Sequence, residues 1–252
     1  KSLLLLLFAI CSLASWASVT SYHFYDTAPT GQRLYYYKTS DSTVSVSGAR
    51  DISGNLIIPS SVIYYSTTYK VTALDYEAFS YCNDLTSVTI PSSVTSINGK
   101  AFENCQHLTN VTIPNSVTKI AGYAFWNCFG LTRISLPDSL TEISVRAFGS
   151  CTGLTSIHIG PLVSSISPEA FVGCVNLDTL YFNAKNLQEN VRWDNVRLES
   201  GFSTLQLRYL EIGDSVQSLP FKIFSGQSDL PSITVPSSVN SIGNNAFEGV
   251  NT

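Results

Sequence analysis

The sequence predicts a repeat solenoid of short parallel β-strands joined by short helical or 3₁₀ turns, with a 23-residue period. Two observations predict it. Cys82, Cys105, Cys128, Cys151 and Cys174 fall 23 residues apart without a slip. They close segments of one pattern, which read LTSVTIPSSVTSINGKAFENCQH from Leu85, LTNVTIPNSVTKIAGYAFWNCFG from Leu108, LTRISLPDSLTEISVRAFGSCTG from Leu131 and LTSIHIGPLVSSISPEAFVGCVN from Leu154. A fixed period in the twenties marks stacked coils, each of which buries its apolar face only against its neighbours.

Residues 1–17 stand apart from this array. Lys1 precedes an apolar run from Leu3 to Ile10, which gives way to Ser12, Ala14, Ser15 and Ala17. That layout predicts a secretory signal peptide, cleaved after Ala17. The run is shorter than the roughly 20 residues needed to cross a bilayer, so no transmembrane segment is expected in the mature chain. Cys11 raises a lipid anchor as an alternative, but Ile10 is bulky where such a processing site carries a small residue. Residues 18–55 do not repeat. RLYYYK at 33–38 and STVSVS at 42–47 read as two strands bounded by Gly31, Asp41 and Gly48, an N-terminal β cap over the first coil.

The solenoid is expected over 56–252. In the unit from Leu85, the β-branched Thr86, Val88, Thr89 and Ile90 favour an extended chain, with Val88 and Ile90 on one face. Pro91 ends the strand because it has no N–H to donate. Val94 and Ile97 bracket a second short extended piece. Ile97, Ala101, Phe102, Cys105 and Leu108 then recur at the spacing of one face of a short helix or 3₁₀ turn. Upstream, LIIPSSV at 56–62 matches the first half of a unit and is displaced by a tyrosine-rich insertion around 63–70. Downstream, 177–206 is an irregular repeat of 30 residues that loses the Ala-Phe pair and the cysteine, and 207–229 returns to 23 with Gln227 at the cysteine position. The segment 230–252 is a full copy with Val250 at that position. It has no polar terminal cap, so the C-terminus reads as truncated.

Phe79, Phe102, Phe125, Phe148, Phe171, Phe224 and Phe247 share one phase and predict a buried phenylalanine spine. The cysteines stack in the same way, and parallel side chains point alike instead of toward each other. They read as buried thiols acting as small hydrophobes, not as disulfides or a zinc site. No metal or cofactor is expected.

Composition and motifs narrow the function classes. The net charge is −4 and no Lys/Arg cluster is present, which argues against nucleic acid as a partner. His23, His107 and His158 are the only histidines; none lies in a metal-binding frame, and no nucleophile-elbow or phosphate-loop motif occurs. The chain is not expected to be an enzyme. The outward side chains of the strand ladder are more telling. The site between the fourth and sixth positions holds Thr89, Thr112, Ser135, His158, Tyr181, Glu211 and Thr234 in successive coils. From the Leu131 coil onward this face and its flank gather Arg133, His158, Asp178, Tyr181, Arg208, Tyr209 and Glu211, beside an irregular loop with Arg192, Trp193, Arg197 and Phe202. Aromatic and arginine residues concentrate at recognition surfaces, so these seven are the candidate ligand-binding residues. Ordinary solvated residues on a sheet face are the other reading.

The motif L-x-x-[VI]-x-[IL]-P-x-[SD]-[VL]-x-x-I-x-x-x-A-F-x-x-C resembles the BspA-type leucine-rich repeat of bacterial surface proteins over about 56–252. The opening, YYYKTSDSTVSVSG followed by LIIPSSV and KVTAL, is similar to the N-termini of such proteins in the Bacteroides and Prevotella group. The resemblance implies a right-handed, leucine-rich-repeat solenoid, secreted or displayed on the cell surface, with no catalytic residues. It implies an adhesin-like binding protein for an extracellular host or microbial protein or glycan. The alternatives are a structural spacer, or a targeting module for a domain beyond residue 252 such as a secreted enzyme.

Overall fold

Two parallel ladders form among the described residues, because most coils contribute a short strand on either side of the corner that ends the first. A computed structural model of the chain describes residues 23–50, 52–188, 202 and 204–251. The expected signal peptide lies outside the described residues. The first ladder pairs Gly54–Ile57 with Leu85–Thr89 and Asn110–Thr112, continues through a single bridge from Thr112 to Ser135, and resumes as Ser156–Ile159, Thr179–Phe182 and Tyr209–Ile212. The second pairs Thr67–Leu74 with Ser96–Ile97, Lys119–Ile120, Glu142–Ile143 and Ser165–Ile166. Beyond it, Ser218–Leu219 pairs with Ser241–Ile242.

RLYYYK forms its expected strand, the strand expected at 42–47 instead runs over Thr43–Arg50, through Gly48, and both extend the second ladder. Thr43–Arg50 lies parallel to Thr67–Leu74, and Arg33–Lys38 and Phe24–Thr27 follow it antiparallel. Ser45 helps to dock this sheet on the first coil, its Oγ donating to Asp75 Oδ2 at 2.5 Å. The tyrosine-rich insertion folds into a hairpin of Ser61–Tyr64 and Thr67–Leu74. Its two-residue turn, Tyr65 (φ 47°) and Ser66 (φ 63°), is left-handed at both positions, the turn that matches strand twist.

Between the second ladder and the cysteine, the expected helical turn does not form. There is no α- or 3₁₀-helix among the described residues. Two residues four apart are left-handed in each of several coils, as at Lys100 (φ 57°) and Asn104 (φ 59°), or Tyr123 (φ 60°) and Asn127 (φ 60°). The backbone hydrogen bonds show why. Ala101, Glu103 and Cys105 donate their N–H groups three residues back within their own coil, whereas Lys100, Phe102 and Asn104 donate theirs to Gly122, Ala124 and Trp126 of the next coil. A helix would need every one of these N–H groups for its own axis. Stacking takes half of them, so the segment becomes a chain of tight turns that satisfies its backbone sideways.

The apolar side chains of this segment fill the core. The rings of Phe79, Phe102, Phe125, Phe148 and Phe171 stack at centroid spacings of 5.2, 5.2, 5.4 and 5.6 Å. Phe202 occupies the next place, 5.8 Å from Phe171 and 6.2 Å from Phe224. The irregular repeat therefore keeps its spine phenylalanine, although its sequence hides it in a longer segment.

Cys82, Cys105, Cys128, Cys151 and Cys174 are free thiols, and all but Cys82 are buried. Their packing is more specific than that of a small hydrophobe. Each S–H donates to the carbonyl of the spine phenylalanine in the preceding coil: Cys105 to Phe79, Cys128 to Phe102 and Cys151 to Phe125 at 3.1 Å, and Cys174 to Phe148 at 2.9 Å. Burial pushes the Cys105 and Cys151 thiols well above their ordinary range, and burial with the Asp84 carboxylate nearby pushes half-buried Cys82 up to about 12. The thiolate is the reactive form. Cys82, Cys105, Cys128 and Cys151, all raised by burial, are therefore expected to stay unmodified by iodoacetamide in the native protein at mildly alkaline pH and to be labelled in concentrated guanidinium, as read by peptide mass mapping. Native labelling of Cys128 would contradict the packed ladder.

Candidate binding groove on the first ladder

The middle of the first ladder carries a change of side chains that its backbone register turns into one surface. His158, Tyr181 and Glu211 are direct register partners on adjacent strands, as Ile157, Leu180 and Leu210 are behind them in the core. Period-two alternation puts the first three outward. Tyr181 stacks face to face on His158, with centroids 4.0 Å apart and planes 9° from parallel. Tyr209 meets Tyr181 at 5.6 Å, and its hydroxyl donates to Glu211 Oε2 at 2.9 Å. That carboxylate holds the Tyr209 phenol above its ordinary pKa by stabilising the protonated form.

Of the seven residues expected from sequence, the structure brings four into this cluster and two to its flank. Asp178 and Arg208 precede the register pair Thr179 and Tyr209, and the Arg208 N–H donates to the Asp178 carbonyl at 2.8 Å. The Asp178 carboxylate accepts a hydrogen bond from Thr179 Oγ1 at 2.8 Å. Arg133 stands apart. It lies in the Leu131 coil, which joins the ladder only at Ser135, and among the described residues its side chain has no hydrogen bond or ring contact with the other six. Phe202, expected on the flanking loop, is fully buried in the spine, and Arg192, Trp193 and Arg197 lie outside the described residues.

A groove of about 550 Å³ runs across four coils at the C-terminal ends of these strands, with His158, Tyr181 and Glu211 in its lining. Its remaining wall was not anticipated. Asp138, Gly160, Asn183, Gly213 and Asp214 also line it. The corner position that ends each first-ladder strand reads Pro91, Pro114 and Pro137, then Gly160, Asn183 and Gly213, then Pro236. Three consecutive coils thus lack proline at the corner position itself, although Pro161 follows Gly160 and lines the groove, and the Asn183 amide occupies the space a Cβ at Gly213 would take. Gly160 has ordinary room around it, since an added Cβ would come no closer than 3.6 Å to Asp138. Its glycine is not demanded by backbone geometry. The change of residue type at these three corners was visible in the sequence. A second groove of about 500 Å³, lined by Arg208, Tyr209, Glu211 and Asp214, adjoins it.

The comparisons with known proteins agree with the coil architecture. The profile of a family described as the BspA type leucine rich repeat region matches residues 72–195 and 197–252, in 6 copies. The chain belongs to that family. No curated protein matches the chain by sequence. Among solved structures, a T. pallidum leucine-rich repeat protein is similar to it with a TM-score of 0.58 and 23% identity, over 88% of this chain and 83% of that one. A leucine-rich repeat protein from Bacteroides ovatus aligns with a TM-score of 0.48 and 22% identity, over 90% of this chain and 92% of that one. The first of these supports the fold alone. BspA-type leucine-rich repeats occur commonly in surface proteins and serve as a protein-interaction fold. Among the described residues no helix is long and apolar enough to cross a membrane, and no group of three His, Cys, Asp or Glu could hold a metal ion.

Proposed function

We propose that this BspA-type solenoid is a secreted or cell-surface binding protein, adhesin-like, that recognises an extracellular protein or glycan through the first-ladder face around Tyr181. The observation that carries the reading is the stacked His158–Tyr181 pair flooring an open groove beside the corner residues Gly160, Asn183 and Gly213. Aromatic anchors beside a concavity supply binding area at little entropic cost. The N-terminal apolar segment and the surface habit of the family support the location. Display of many copies would raise weak single contacts to useful avidity.

The test is binding of the purified chain to an array of extracellular matrix proteins, mucins and glycans. Saturable binding to one class is expected. Replacing Tyr181 and Tyr209 together by alanine is expected to weaken it by about 2 kcal/mol, roughly thirtyfold, the size of an aromatic hot-spot loss. Adding Arg133→Ala is expected to change little more, because Arg133 stands outside the cluster. Binding that survives the two tyrosine replacements intact would remove the groove from the account, and binding to no class would favour the spacer role.

A further inference from the structure

If the groove is the binding site, its charge selects the ligand. Among the described residues its charged lining is Asp138, Glu211 and Asp214, with no lysine or arginine; Arg208 lines the adjoining groove that shares Glu211 and Asp214. Among the described residues no Lys or Arg forms an ion pair with any of the three. Elsewhere on the same solenoid some glutamates are paired across coils, as Glu142 is with Lys119 at 2.8 Å and Glu169 with Arg146 at 2.6 Å. Asp138 and Asp214 hold the same repeat position three coils apart, which at the strand spacing puts them roughly 14 Å from each other along the groove. Between them lie the exposed His158 and half-buried Tyr181 rings.

We propose that the groove takes a short extended stretch of an extracellular protein bearing arginine or lysine. Four or five residues of extended chain span roughly that length. Two cationic side chains would reach the carboxylates at its ends, while a guanidinium or a lysine stem lies on the His158–Tyr181 stack. A guanidinium is planar, weakly hydrated and attracted to an aromatic face, and it pairs with carboxylates through two hydrogen bonds at once. The net charge of −4 adds long-range attraction for a basic segment.

The inference rests on the groove being the site named above, so the experiment separates the two. The full chain is titrated by calorimetry with the blocked peptide Gly-Arg-Gly-Arg-Gly, with the same peptide carrying citrulline, which keeps the shape of arginine and loses its charge, and with a neutral glucose hexasaccharide. Two variants accompany it: Asp138→Asn with Asp214→Asn, which keeps shape at exposed positions, and Gly160→Trp, which fills the groove. The arginine peptide is expected to bind at least tenfold more tightly than the citrulline peptide, to weaken at raised salt, and to lose at least tenfold in each variant. Failure of the arginine peptide to bind, equal affinity for both peptides, or indifference to the paired Asn changes overturns the inference. Hexasaccharide binding that Gly160→Trp abolishes and the Asn pair leaves untouched overturns the cationic class but retains the groove. Binding that Gly160→Trp leaves unchanged overturns both.

Discussion

Truncating Phe125 to alanine is expected to remove about 3–5 kcal/mol of unfolding free energy, the range for a large core side chain lost from a site that cannot collapse. The ring is completely buried and lies between Phe102 at 5.2 Å and Phe148 at 5.4 Å, so its removal breaks the spine in mid-array. The backbone there cannot close the gap, because the Phe125 N–H is held by Ala147 of the next coil at 2.8 Å and its carbonyl accepts the Cys151 thiol at 3.1 Å. In a solenoid each coil is stabilised chiefly by its neighbours, so a defect in the middle weakens two interfaces. Urea unfolding followed by far-UV circular dichroism measures the loss. A loss below about 1 kcal/mol for Phe125→Ala would be incompatible with the stacked register.

The same repetition explains which parts of the fold were legible in the sequence. Residues that recur every 23 positions are those whose environment recurs, so the phenylalanine spine, the cysteine ladder and the outward column through His158, Tyr181 and Glu211 could be named from spacing alone. The helical turn could not, because apolar spacing records which face is buried and says nothing of where the N–H groups go. Lateral bonds such as Phe102 N–H to the Ala124 carbonyl exist only once coils are stacked. Phe202 was misplaced for a related reason. The irregular repeat changes length, which destroys the register by which a reader finds its phenylalanine, yet the core still demands a ring between Phe171 and Phe224. The groove was not legible from the strand residues alone, because part of its wall comes from Gly160, Asn183 and Gly213, the corner residues where the clean repeats carry proline.

Gln227 joins the irregular repeat to the regular one, and its replacement by leucine should cost about 2–4 kcal/mol. It stands at the cysteine position, 1% exposed. Its Nε2 donates to the Phe202 carbonyl at 3.2 Å, the duty the thiols perform elsewhere. Its Oε1 also accepts the Leu207 N–H at 2.8 Å, a group at the start of the coil that follows the longer repeat. A thiol is a weak donor and a weaker acceptor, and it is too short to serve both backbone groups. Leucine has similar volume and serves neither, leaving a buried N–H and a buried carbonyl unpaired at about 1–3 kcal/mol each. Cysteine at 227 would restore the repeat's own residue and should be only partly tolerated, since it could reach the carbonyl but not the N–H. The order of stability expected is therefore native, then Gln227→Cys, then Gln227→Leu, measured by urea unfolding. If cysteine matched the native protein, the Leu207 contact would contribute nothing. If leucine did, the amide would be a packing residue alone, and the join would rest on the Phe202 ring instead.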